Sequence, residues 1–129
     1  VLVNADYARA GAASLAGARL DAERVPRALE RAGYEVKLAL DVGLSGARAE
    51  LDAFARASAT AEAALIYVGG HGVQHGRTVW WLQGDVEAPT RAADLPRLAL
   101  SIPHIAEAAQ ARHVNLVLYA ACRNDPFGR

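Results

Sequence analysis

One cysteine, Cys122, serves the whole chain of 129 residues, so no internal disulfide can form. Its chemistry calls for no oxidising compartment, and a cytoplasmic location is the expectation. Methionine is missing altogether. A chain without its initiator reads as a trimmed or processed portion of a longer polypeptide. Net charge is missing too: 14 basic residues balance 14 acidic ones. That balance argues against a nucleic-acid groove or a polybasic membrane anchor. No apolar run reaches the roughly 18 residues of a membrane span. The opening Val1-Leu2-Val3-Asn4 reads as a strand and not as a signal peptide. No Gly-x-x-x-x-Gly-Lys or Gly-x-Gly-x-x-Gly loop follows a strand, which ranks nucleotide binding low. Internal repeats and low-complexity linkers are absent as well, so residues 1–129 read as one domain.

What is present suffices for a core. Apolar residues make up 53% and charged residues 22% of the chain, the balance of a globular domain. Val1 to Asn4 predicts a buried strand, and Tyr7 to Gly17 a loop. Val25, Ala28 and Leu29 predict a helix over Asp21 to Arg31, with Asp21 as N-cap and Gly33 as the stop. Pro26 either kinks that helix or marks its start. Tyr34 to Leu40 predicts a strand with Val36, Leu38 and Leu40 on one face, and Ser45 to Ala57 a helix anchored by Leu51 and Phe54. Ala63 to Val68 is a continuous apolar run that suits a parallel strand covered on both faces. Val79 to Leu82 predicts a small strand off the main sheet, and Ile102 to Arg112 a helix. Val114 to Ala121 is a second continuous apolar strand that runs into Cys122. Alternating strands and helices predict an α/β fold, a mostly parallel sheet with helices on both faces. Functional residues of such sheets gather at the carboxyl ends of the strands. His71 and Cys122 both sit there.

A nucleophilic cysteine needs a base within hydrogen-bond reach and a favoured thiolate. Gly69, Gly70, Gly72 and Gly76 surround His71. Glycines allow positive φ and close approach to a substrate. The N–H of Gly72 and that of Cys122 are candidate oxyanion-hole donors. Blander readings stand beside these. Cys122 alone is a small buried hydrophobe in many folds, and His71 alone a satisfied structural histidine. Asp21 needs only the capping role. His71 and His75 have the spacing of a zinc pair, but the glycines oppose the helix such a pair requires, and no Glu follows His71. Trp80 and Trp81 read as packing, His104 and His113 as surface residues without partners, and Asp85 as a turn residue that also suits a cleft.

Two segments carry a family resemblance. Tyr67-Val68-Gly69-Gly70-His71-Gly72-Val73-Gln74, then Gly76 and Trp80-Trp81-Leu82-Gln83-Gly84-Asp85, resembles the histidine segment of caspase-like and metacaspase-like peptidases. Ala121-Cys122-Arg123-Asn124-Asp125-Pro126-Phe127 resembles their cysteine segment, especially in bacterial members. Asn4 on the opening strand, and Leu15-Ala16-Gly17 leading to Asp21-Ala22, resemble the family's N-terminal segment. The His71 to Cys122 separation agrees with the gap of about 50 residues known for caspases, which is likeness and not derivation. The resemblance implies a three-layer caspase-hemoglobinase type sandwich, cysteine endopeptidase activity and a His71–Cys122 dyad. It implies protein or peptide substrates and a small-subunit portion of the same precursor that adds strands to the sheet. A homodimer is compatible with it. It implies no cofactor, though some relatives need calcium.

The chain also departs from the pattern. The relatives carry an Asp two places before the catalytic cysteine and often a Ser two places before the histidine; here these positions are Ala120 and Gly69. Of the substrate-binding set for Arg or Lys, Asp21 alone matches. Two carboxylates bind a guanidinium better than one, so Ala120 weakens or removes a basic preference. An altered specificity, a catalytically weak interaction module and an engineered substitution all fit. Arg129 reads either as a self-processing site or as an ordinary loop residue.

Overall fold

The computed structural model describes residues 1–121. In chain order its elements are β1 (Leu2–Val3), α1 (Ala16–Arg31), β2 (Ala39–Leu40), α2 (Gly43–Ser58), β3 (Ala63–Gly69), β4 (Gly72–His75) and β5 (Thr78–Leu82). They continue with a 3-10 turn (Ala92–Asp94), α3 (Leu95–Leu98), β6 (Ala99–Ser101), α4 (Ile102–Ala106) and β7 (Val114–Ala120). Two sheets result. The main one is parallel, in the order β2-β1-β3-β7, and the smaller is antiparallel, in the order β4-β5-β6. This is the expected α/β fold, with a mostly parallel central sheet.

The parity of β3 explains how the sheet is covered. Ala64, Ile66 and Val68 are buried and pack with Leu2 of β1, Ala47 and Leu51 of α2, and Ile105 of α4. Burial of each larger side chain contributes about 1.5–3 kcal/mol. Ala63, Leu65 and Tyr67 point to the opposite face and are only half-buried. There α1 crosses, and Tyr67 donates a hydrogen bond to Asp21 on that helix at 2.9 Å. Helices thus flank both faces.

Several boundaries differ from the sequence reading. α1 begins at Ala16, five residues before Asp21, so Asp21 lies inside the helix and caps nothing; Leu15 holds the N-cap position. Pro26 sits within α1 and forfeits one main-chain bond. Gly33, at φ +98°, ends the helix as expected. The strand expected over residues 34–40 shrinks to Ala39–Leu40, with Leu38 exposed. A strand needs a laddered partner, and β1 offers only Leu2 and Val3 in register. The helix expected over residues 102–112 stops at Ala106. Beyond it, Ser58 accepts the N–H of Gln110, and the Asn115 amide bonds both N–H and C=O of Ala111. These side-chain bonds replace the helical ones. β7, the second continuous apolar strand, is not covered like β3: among the described residues it is the edge of the sheet, with Val114, Leu116 and Leu118 exposed on one face. No helix among the described residues is long and apolar enough to cross a membrane.

Candidate functional site

The turn from β3 into β4 places His71. Gly69 ends β3, and its carbonyl accepts from Asn4 N–H and from Trp81 Nε1, both at 3.0 Å. Asn4 and Trp81 are buried, so both bonds are shielded from water. Gly70 then takes φ +139°, and a Cβ there would lie 2.9 Å from the carbonyl oxygen of Asn4 and from Trp81 Nε1, and would meet the Tyr7 hydroxyl. Only glycine fits that turn. Gly76, at φ +60°, heads the two-residue loop of the β4–β5 hairpin.

His71 follows Gly70 and is held at four points. Its N–H donates to the Tyr7 hydroxyl at 2.9 Å, and its carbonyl accepts from Leu82 N–H at 2.9 Å. The Tyr7 ring meets the imidazole edge to face, with centroids 4.5 Å apart. Nε2 lies 2.8 Å from the carbonyl oxygen of Ala13. A carbonyl only accepts, so Nε2 carries the hydrogen and donates, and Nδ1 is the basic nitrogen. A main-chain carbonyl thereby does the orienting that a third acidic residue does elsewhere. Burial pushes the Tyr7 phenol up to about 12. It therefore stays protonated and donates to Leu82 C=O at 3.0 Å.

Cys122 lies outside the described residues, as do Arg123 and Arg129. The strand that leads to Cys122 is described. β7 pairs with β3 in parallel from Ala63↔Val114 to Gly69↔Ala120. His71 comes two residues after Gly69, and Cys122 two residues after Ala120. Adjacent strands lie about 4.8 Å apart, so register brings the carboxyl ends of β3 and β7, Gly69 and Ala120, side by side at one edge of the sheet. Gly72 is buried and opposes Trp81. Because Leu82 N–H bonds to His71 C=O, the Gly72↔Trp81 pair is the non-bonded kind, and Gly72 N–H points out of the hairpin.

The three substrate-binding candidates lie on the α1 side of the sheet. Gly69 and Ala120 are register partners, and Asp21 holds the hydroxyl of Tyr67, two residues before Gly69. Tyr67 is a residue the sequence reading passed over here. A Cβ at Gly69 would lie 3.3 Å from its ring, so Tyr67 fills the space a serine would use. Its own phenol is pushed up to about 12 by burial and then by the Asp21 carboxylate.

Other expectations resolve plainly. His71 precedes β4 and His75 ends it, so no helical zinc pair forms. Trp81 is buried as packing, as expected. His104 and His113 do have partners: His104 lies 3.5 Å from Glu107, and His113 lies 2.7 Å from Glu62. Asp85 accepts the N–H of Leu44 at 3.0 Å and so caps α2 from a distance. A cavity of about 670 Å³ lies between α1, α2 and the amino half of β3, at the other end of the sheet from His71. The caspase domain family model matches residues 1–126. No curated protein matches the chain.

Proposed function

The chain belongs to the caspase domain family, and from that membership we propose that it is a cysteine endopeptidase working through a Cys122–His71 dyad. The carrying observation is the parallel register that ends with Gly69 beside Ala120, two residues short of His71 and Cys122 respectively. The Nε2 contact to Ala13 adds the correct tautomer. In this mechanism Nδ1 of His71 takes the Cys122 thiol proton. The thiolate attacks the scissile carbonyl and forms a C–S bond. The N–H groups of Gly72 and Cys122 receive the oxyanion. His71 returns the proton to the leaving amine as the C–N bond breaks, and water then hydrolyses the thioester.

The surroundings support two further parts of the reading. Val114, Leu116 and Leu118 form an exposed apolar row on the edge strand, a surface that a further portion of the same precursor covers by adding strands beyond β7. A homodimer is the alternative cover. A thiol nucleophile also suits a reducing compartment such as the cytoplasm.

A second reading has its own observation. Neither Gly69 nor Ala120 presents a polar side chain, and the Asp21 carboxylate already accepts from Tyr67. A weak caspase-like interaction module fits such a site. A positional peptide library, read for cleavage by the wild type and by Cys122→Ala, separates the two. Cleavage that vanishes in Cys122→Ala supports the peptidase; no cleavage by the wild type of any library member supports the module.

A further inference from the structure

Tyr7 stands inside a strand ladder. The register sets His71 opposite Leu82 as a bonded pair of the β4–β5 hairpin, one step beyond Gly72↔Trp81. Such a pair normally exchanges two main-chain bonds. Here Leu82 N–H bonds to His71 C=O, but the return bond is missing. The Tyr7 hydroxyl takes its place, accepting from His71 N–H at 2.9 Å and donating to Leu82 C=O at 3.0 Å. One hydroxyl thus wedges the hairpin open on the side of His71 and sets the direction in which that residue leaves the sheet.

The loop that carries Tyr7 also carries Ala13, whose carbonyl holds Nε2. Asp41, at the end of β2, ties the start of this loop to the main sheet. Its Oδ1 accepts two consecutive N–H groups, from Ala5 at 2.7 Å and from Asp6 at 3.0 Å. Asp41 is also the only non-glycine residue with positive φ (54°) among the described residues. Such a conformation costs of order 1 kcal/mol or more and persists where surrounding bonds impose it. Asp41 is 25% exposed on its side chain, and its other oxygen meets Arg19 at 3.5 Å.

We infer that Asp41 and Tyr7 are positioning residues for His71: Asp41 fixes the loop over residues 5–13, and the loop clamps the imidazole through the Tyr7 hydroxyl and the Ala13 carbonyl. The inference rests on the reading of His71 as the base of Cys122. Both residues bond to the protein's own main chain. Each acts by fixing which imidazole nitrogen carries the hydrogen and where the ring points.

The test uses Asp41→Gly, Asp41→Asn and Tyr7→Phe in the whole chain. Glycine keeps the backbone conformation and removes the carboxylate. Asparagine tolerates the same conformation and keeps an accepting oxygen. Two readouts are taken: the rate at which a thiol-directed peptide probe labels Cys122, and the imidazole nitrogen shifts of His71, which report its tautomer. Asp41→Gly is expected to stay folded, to label about 10- to 100-fold more slowly, and to give a mixture of tautomers. Asp41→Asn restores both readouts. Tyr7→Phe, which keeps the ring, reproduces the Asp41→Gly pattern and carries the test if Asp41→Gly does not fold. Wild-type labelling and a single Nε2–H tautomer in folded Asp41→Gly or Tyr7→Phe would overturn the inference. His71→Ala keeps its failure separate from that of the dyad: undiminished labelling there refutes the base, while the tautomer readout still decides the clamp.

Discussion

Replacing Gly70 by alanine is the most informative single perturbation of the site. Gly70 sits at φ +139°, where a side chain is strained at a cost of about 1–3 kcal/mol. The added methyl would also lie 2.9 Å from the main-chain oxygen of Asn4, which cannot swing away, and would run into the Tyr7 hydroxyl. Relief requires Tyr7 to move, which leaves His71 N–H short of a partner, while Leu82 C=O keeps the Asn4 amide at 3.0 Å. Each stranded buried group costs about 1–3 kcal/mol. Taking one such loss with the strain gives a destabilisation of about 2–6 kcal/mol, against a total of about 5–15 kcal/mol for an ordinary domain. Gly17→Ala is the control. Gly17 lies in α1 with open space around its Cβ position, so alanine there should add about 0.5–1 kcal/mol. Urea unfolding followed by circular dichroism measures both. A Gly70→Ala loss below about 1 kcal/mol would refute the account of how the β3–β4 turn is built.

Three shorter predictions accompany it. Burial pushes the Tyr7 and Tyr67 phenols up to about 12 from their ordinary 10.0. The fold therefore favours their protonated forms, and their contribution is intact below about pH 10 and fades as pH rises through about 12. Urea midpoints should fall across that window, and less steeply in Tyr67→Phe; an identical slope would remove Tyr67 from the explanation. Leu116→Ser with Leu118→Lys should leave the chain's own stability within about 0.5 kcal/mol per site, because both side chains are exposed. The same pair should reduce assembly with any strand-adding portion, measured by co-sedimentation. Ala120→Asp should raise cleavage after Arg or Lys by about 10-fold or more by adding a second carboxylate beside Asp21. An unchanged library profile would contradict the pocket argument.

The parallel core was legible because long apolar runs bounded by glycine leave little choice. The apolar runs became β3 and β7, paired from Ala63↔Val114 to Gly69↔Ala120. The glycines around His71 likewise announced a turn, and Gly70 and Gly76 carry the positive φ that justifies them. Other features were not legible because partners far away in sequence decide them. Asp21 looks like a cap, but α1 starts at Ala16 and the carboxylate faces Tyr67 instead. The alanine-rich stretch after Ala106 has helical propensity, yet Ser58 and Asn115 claim its main chain. The exposure of β7 follows from its place at the sheet edge, which composition does not encode. Tyr7 gave no signal and Asp41 almost none, because their roles rest on bonds spanning 35 to 75 residues. Only Asp at a strand end, a residue type that tolerates positive φ, hinted at Asp41.

The central claim is that His71 activates Cys122. The most direct measurement is the rate of Cys122 labelling by a thiol-directed peptide probe across neutral pH, in the wild type and in His71→Ala. The account predicts rapid labelling in the wild type and a loss of about 100-fold or more in His71→Ala, the range typical of a positioned general base. Equal rates in the two proteins would contradict it.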